Sequence, residues 1–354
     1  MKVAVIGAGS WGTAVAALAA QNVETTLWAR SEELSAAMTR DSRNNSYLPG
    51  IDLPEMTYTS DLEEACNAAD IVVIGVPSHG FRAVLESAGR SIDSGATVIS
   101  LVKGVEQGTL LRMTQVVHEV LSTTDHSHDH RHDHRHDHRH DRSHDLTAIG
   151  VLTGPNLARE VAEGQPAASV VAIPDGGRAE QVQAAFMSPT FRVYTNPDVV
   201  GCEIAGALKN VMAIAAGVAH GLGYGDNTIA ALITRGLAEL ARLGIALGGS
   251  PLTFSGLAGM GDLVATCISD KSRNRTVGVE LGRGRSLEDV VNEMHMVAEG
   301  VKTTRAVLDL AALHSLEMPI AEQVGAVLYD GRRPDEIVPT LMMRGATSEM
   351  HGLG

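Results

Sequence analysis

The sequence predicts an α/β doubly wound parallel sheet in its first part and an all-helical domain after it. Three observations predict this. A β-branched run at residues 2–6, KVAVI, passes straight into Gly7-Ala8-Gly9-Ser10-Trp11-Gly12 and then into a helical run at residues 13–21. Short apolar runs of strand length then alternate with helix-length segments up to Asp198. After Asp198 only helical patterns follow. The division therefore falls between residues 1–197 and 198–354, with the first part Rossmann-like in plan.

The glycine turn is the most specific local signal. Strand, G-x-G-x-x-G and helix in that order form the context a dinucleotide fingerprint requires. Gly7 permits the tight turn, Gly9 lets a pyrophosphate approach the backbone, and Gly12 lets helix and strand pack closely. The helix N-terminus favours the phosphates. The second strand, residues 25–29, ends at Arg30, and no acid appears until Glu32. An acid near that position binds the ribose hydroxyls of NAD. Arg30 and Ser31 suit a 2′-phosphate instead, so NAD or NADP is the expected cofactor, with a plain surface arginine as the other reading.

Residues 44–54 are a polar, proline-rich loop, and residues 60–63 read as a capping box that opens a helix. Residues 71–76 form a buried strand ending in Pro77-Ser78-His79, where His79 is either catalytic or a helix-starting polar residue. The strand at residues 97–101 delivers Lys103 to its C-terminal end, where open sheets bind ligands. A helix at residues 109–121, a strand at 146–152 and further strands at 168–173 and 192–194 complete the sheet. Between helix and strand lies a His-Asp-His-Arg repeat at residues 125–145, which holds nine of the fifteen histidines and almost no apolar residue. It cannot build a core and is expected to be disordered. Imidazoles from His126 to His144 suit adventitious, unselective metal binding; no dedicated metal site is expected.

Asn196-Pro197-Asp198 supplies turn and N-cap chemistry for a long apolar helix beginning near Gly201. Lys209 sits in the middle of it, with Asn210 beside it. Two readings are open. The ammonium snorkels to water, or it is held in a cleft as a proton donor and acceptor, its pKa lowered by partial burial. A crevice between the two domains is where such a lysine would act. Helical patterns continue at residues 228–247, 273–281, 287–294, 303–314 and 322–329. Among them, SGLAGMGD ends in Asp262. Ser272, Arg273 and Asn274 stand at a helix start, as in a phosphate site or an ordinary cap. Glu299 lies at another turn, either as a ligand for ribose or amide or as a helix cap.

Composition narrows the function. Across 354 residues, 44% are apolar and 20% charged, with a net charge of −14. That excludes nucleic acid as a general partner, and an anionic substrate would need a local basic pocket. Cys66, Cys202 and Cys267 show no metal or disulfide spacing, which suits a reducing cytoplasm. The chain opens on a strand rather than a signal peptide, and no apolar run is expected to reach the roughly 18 residues of a membrane span.

GAGSWGTA, VPSH, KGVE, TGPN, EIAGALKNVMAIAAGVAHGL, SGLAGMGDLVAT, SRNRTVGVELGRG and VAEGVKTT resemble the bacterial NAD(P)-dependent glycerol-3-phosphate dehydrogenase family, in family order over nearly the whole chain. The resemblance implies Lys209 as proton donor and acceptor. It implies cofactor contacts at Ser10, Trp11, Arg30, Lys103, Ala158, Arg273, Val297 and Glu299. It implies substrate contacts at Lys103, Gly154, Asn156, Lys209, Asp262, Ser272, Arg273 and Asn274. Asn156 stands where many relatives carry serine, and the histidine tract is foreign to the family pattern. The substrate pair implied is dihydroxyacetone phosphate and glycerol 3-phosphate, for phospholipid synthesis by a cytoplasmic homodimer. Two other readings stay open on residue types alone: a hydroxyacid or sugar-acid dehydrogenase, and a metal-storage protein built on the histidine tract.

Overall fold

The computed structural model describes residues 1–124, 145–294, 298–346 and 348–349. The histidine tract from His126 to His144 and Val297 lie outside the described residues. The chain forms two compact units. The first comprises Met1–Val102, Met113–Leu152 and Asn156–Pro197. The second comprises Lys103–Arg112, Thr153–Pro155 and Asp198–Gly354.

In the first unit an eight-stranded sheet runs β1 Lys2–Ile6, β2 Glu24–Trp28, β3 Thr57–Thr59, β4 Ile71–Ile74, β5 Thr97–Ser100, β6 Ile149–Thr153, β7 Ala167–Ala172 and β8 Phe191–Asn196. The spatial order is β3-β2-β1-β4-β5-β6-β7-β8. β1 pairs in parallel with β2 and β4, β2 with β3, β4 with β5, β5 with β6, and β7 with β8. β4 and β5 are buried throughout, as a parallel strand covered on both faces must be. Helices α1 Ser10–Ala19, α2 Glu32–Asp41, α3 Leu62–Cys66, α4 Ser78–Ala88, α5 Met113–Thr124, α6 Ala158–Ala162 and α7 Gly176–Phe186 accompany the strands. The core joins Val3, Val5, Val73 and Ile99 to Val15, Leu18, Val182 and Phe186. Chain order reverses between β1 and β4, so the switch point where such sheets bind ligands lies beyond Ile6 and Ile74.

The second unit is helical: α8 Val199–Gly221, α9 Asp226–Ala246, α10 Pro251–Ser255, α11 Asp262–Ile268, α12 Arg273–Gly282, α13 Leu287–Glu293, α14 Glu299–Leu313, α15 Pro319–Tyr329 and α16 Ile337–Met342. A π-helical turn, Leu257–Gly261, leads into α11. Asp198 caps α8, its carboxylate accepting from Gly201 N at 2.8 Å. α8 is buried along nearly its whole length and forms the axis of this unit, packed by α9, α11, α12 and α14. It is long and apolar enough to cross a membrane, contrary to the expectation that no run would be, yet almost all of it is buried inside the protein. Its small residues explain how α12 fits against it. A Cβ at Gly217 would lie 2.2 Å from the Arg275 carbonyl oxygen, and one at Gly278 2.1 Å from that of Ile214. Glu239 on α9 accepts from Ile320 N and Ala321 N, capping α15, and burial pushes its carboxyl up to about 7.

Three local expectations need correction. The cap expected at residues 60–63 is made by Asp61, whose carboxylate accepts from Glu63 N and Glu64 N, so α3 begins at Leu62. The helix expected from residue 109 begins at Met113, because Leu110 takes a left-handed φ of 59° that no α-helix accommodates. The strand expected from residue 146 begins at Ile149 after a 3-10 turn, Leu146–Ala148.

Candidate active site

In the first unit the glycine turn is built from backbone. Gly7 has a φ of 123°, and a Cβ there would meet the Gly75 carbonyl oxygen at 2.8 Å. A Cβ on Gly12 would sit 1.9 Å from the Gly7 carbonyl oxygen. Around Gly9 nothing lies within 4 Å of that position, so its backbone is open to approach. α1 has no side-chain cap and no acid in its first turn, which leaves its leading amides for an anion. This geometry fits the pyrophosphate of a dinucleotide. Two fasteners hold the turn. Ser10 Oγ donates to the Tyr47 carbonyl at 2.6 Å. Asn44, fully buried, donates through Nδ2 to the Ala8 carbonyl and to Thr13 Oγ1, both at 2.8 Å. The role of Asn44 was invisible in a loop read only as polar.

The other residues of this unit are placed as follows. The Trp11 ring stands 6.3 Å from Phe191, and its Nε1 is buried with no hydrogen-bond partner. Arg30 is exposed after β2. Ser31 caps α2 by accepting from Leu34 N, and its hydroxyl donates to Glu33. Ala158 is the first residue of α6. Asn156 belongs here too and donates through Nδ2 to Ser169 Oγ at 3.0 Å.

The second unit gathers side chains from three segments and a backbone carbonyl from a fourth. Lys209, 7% exposed on α8, places Nζ 2.8 Å from Asp262 Oδ1 and donates to Thr266 Oγ1 at 2.7 Å. Lys103 Nζ lies 2.6 Å from Asp262 Oδ2 and donates to the Gly154 carbonyl at 2.8 Å. Gly154 presents that carbonyl from a φ of 138°, open to glycine alone at little strain. Asp262, 1% exposed, thus bridges two ammonium groups. Thr266, one turn along α11, donates to the Asp262 carbonyl at 2.6 Å, which turns a lone pair toward Lys209. Burial pushes the Lys103 ammonium down to about 8, against the pull of Asp262, while Lys209 nearby lowers it further. Two cations on one anion leave a buried positive charge, the local basic pocket that a net charge of −14 calls for.

An amide relay braces this cluster. Asn210 Nδ2 donates to the Lys103 carbonyl at 3.0 Å, and Asn274 Nδ2 donates to Asn210 Oδ1 at 2.9 Å. Asn274 Oδ1 accepts from Gly300 N at 2.9 Å. Asn274, expected to bind substrate, therefore has one amide hydrogen left over from bracing. Ser272 caps α12 by accepting from Arg275 N, which leaves its own O–H as a donor. Arg273 is exposed at the first position of α12, and Glu299, which opens α14, acts on it electrostatically. The parts missed in the sequence are Thr266 and the bracing role of Asn210. Thr266 stands four residues after Asp262 on one helix, a signal that could have found it.

Residues 2–127 and 139–179 match the family described as NAD-dependent glycerol-3-phosphate dehydrogenase N-terminus, and residues 198–339 match its C-terminus. The glycerol-3-phosphate dehydrogenase [NAD(P)+] of Thermobifida fusca is 48% identical over 99% of each chain. That of Streptomyces coelicolor is 47% identical over 99% of this chain and 98% of its own. The crystal structure of glycerol-3-phosphate dehydrogenase from Coxiella burnetii superposes with a TM-score of 0.86 at 34% identity, covering 97% of this chain and 99% of that one. The chain belongs to the NAD-dependent glycerol-3-phosphate dehydrogenase family.

Proposed function

We propose that this chain interconverts dihydroxyacetone phosphate and glycerol 3-phosphate with NAD(H) or NADP(H), using Lys209 as the proton donor and acceptor. The observation that carries this is the bridge of Lys209 and Lys103 through Asp262. A lysine ammonium has three donors. Lys209 commits one to Asp262 and one to Thr266, which leaves the third for a substrate oxygen. Lys103 likewise commits two, to Asp262 and Gly154. In the reducing direction Lys209 protonates the alkoxide forming at C2, and the paired positive charge stabilises that oxyanion. In the oxidising direction Lys209 takes the proton from the C2 hydroxyl. Ser272 and Arg273 serve the phosphate, with the spare amide hydrogen of Asn274. Gly7, Gly9, Ser10, Trp11, Gly12, Arg30 and Ala158 would hold the dinucleotide, and the family resemblance adds Arg273 and Glu299 as further cofactor contacts. A bound nicotinamide supplies the hydride.

Three buried free cysteines suit a reducing cytoplasm, and the family resemblance supports a homodimer supplying a phospholipid precursor. The test of the reading is direct. Purified protein with NADH or NADPH and dihydroxyacetone phosphate should lose absorbance at the reduced-cofactor band. Lys209→Ala should lower kcat ~10²–10⁴-fold, the usual worth of general acid catalysis, while dinucleotide binding persists. Undiminished turnover in that variant would end the assignment.

A further inference from the structure

Lys103 is carried by a short loop rather than a regular element. The loop, Lys103–Arg112, closes on itself. Val105 and Arg112 form an antiparallel bridge, Glu106 N donates to the Leu111 carbonyl at 2.9 Å, and Leu110 N donates to the Glu106 carbonyl at 3.0 Å. Lys103 and Arg112 therefore stand at the two feet of one closed structure. Both feet rest on α8. At one, Asn210 holds the Lys103 carbonyl, and Gly206 leaves room for the Lys103 stem, whose Cγ would touch a Cβ there at 3.4 Å. At the other, Arg112 Nη1 meets Glu203 Oε2 at 2.5 Å, with Glu203 only 6% exposed. Glu203, Gly206 and Asn210 follow each other at spacings of three and four and so share one face of α8.

We propose that the Arg112–Glu203 ion pair is a positioning clamp that fixes the register of the Lys103 loop on α8, and through it the reach of Lys103 to Asp262. This rests on the catalytic reading of the lysine pair given above. An ion pair with its carboxylate buried and its guanidinium 20% exposed is a poor way to gain stability, because desolvation offsets most of the attraction. Its well-attested use is to specify one geometry where apolar side chains would tolerate several. A one-residue slip of this loop would withdraw Lys103 from Asp262 without disturbing the helices beneath.

The test uses the full chain with three variants: Glu203→Gln, Arg112→Met, and both together. Arg112→Met takes the cation from a buried carboxylate and Glu203→Gln takes the anion from Arg112, so either single change lowers Tm. The double change removes both charges and restores Tm toward wild type. The clamp predicts that the double variant, though stable, keeps kcat for dihydroxyacetone phosphate down by roughly 10- to 100-fold, the usual scale for a catalytic group misplaced by about 1 Å. It also predicts faster acylation of Lys103 by acetic anhydride, read by peptide mass spectrometry, with Lys2 on β1, outside this loop, unchanged. A double variant with restored Tm, wild-type kcat and wild-type Lys103 labelling would overturn the clamp. Failure of the wild-type chain to reduce dihydroxyacetone phosphate would instead overturn the catalytic reading, and the labelling would still judge the clamp.

Discussion

The glycine turn of the first unit and the lysine cluster of the second are built on opposite principles. The turn is made almost wholly of backbone: amides at the start of α1, glycines that admit close approach, and two side chains that fasten it from behind. The cluster is made of side-chain ends, two ammonium groups and a threonine hydroxyl gathered on one carboxylate. Backbone sites fail by intrusion, because an atom added at Gly7 or Gly12 strikes a neighbour. Side-chain sites fail by deletion, because each group supplies a charge or a hydrogen bond that nothing else replaces. The difference also separates binding from chemistry. Phosphates need donors and room, whereas proton transfer needs a titratable group at a fixed point.

The sharpest break of the comparison is Gly12→Ala. The added methyl would sit 1.9 Å from the Gly7 carbonyl oxygen, a contact that only movement of the turn relieves. Overpacking of this kind costs on the order of 3 kcal/mol, which raises the dinucleotide Kd roughly 100-fold if it falls on the bound state. Fluorescence titration with NADH measures it. Binding at wild-type affinity would show that the turn is not the backbone-built site described above.

Arg273→Ala tests the other half by deletion. Arg273 stands exposed at the start of α12, beside the Ser272 cap. Loss of a charge-assisted hydrogen bond costs about 1.5–3 kcal/mol, or roughly 10- to 100-fold in KM for dihydroxyacetone phosphate. Unphosphorylated dihydroxyacetone serves as the control. A variant that still discriminates between the two ketones as well as wild type places the phosphate elsewhere.

The same difference governs what the sequence reveals. β1, the glycine turn, β4, β5 and α8 were legible because each is contiguous and its pattern is the cause of its structure. β3 escaped notice because three residues carry no period. α2 escaped because only Ser35 and Met38 of its ten residues are buried, so no apolar stripe marks it. In the cluster, Lys209 was legible as a lone lysine in the middle of an apolar helix. Its hydrogen bond to Thr266 spans 57 positions, and that of Asn210 to the Lys103 carbonyl spans 107. No local pattern encodes such pairs, since packing of α8 against other segments creates them. Asn274 shows the same limit: its type and place suggested a ligand, but nothing local showed that its amide also braces Asn210 and Gly300.

The smallest effect concerns cofactor choice, where a side chain modifies the backbone-built site. Arg30 follows β2 in an exposed position, and the hydroxyl of Ser31 is already engaged in capping α2. Recognition of a 2′-phosphate at this strand end would therefore rest on the Arg30 guanidinium more than on Ser31. Glu32 and Glu33 lie in the first turn of α2, so the surroundings are not otherwise basic. Arg30→Asp replaces an attraction with a repulsion for NADPH, while NADH offers only ribose hydroxyls that a carboxylate can accept from. The site is exposed, and an exposed charge pair is worth up to about 1 kcal/mol, so the KM ratio of NADPH to NADH should rise by no more than about tenfold. The shift should shrink in high salt, because exposed charges are screened. Steady-state kinetics with both cofactors at low and high ionic strength measure this. Equal loss with NADH and NADPH, or a ratio indifferent to salt, would show that Arg30 does not read the 2′-phosphate.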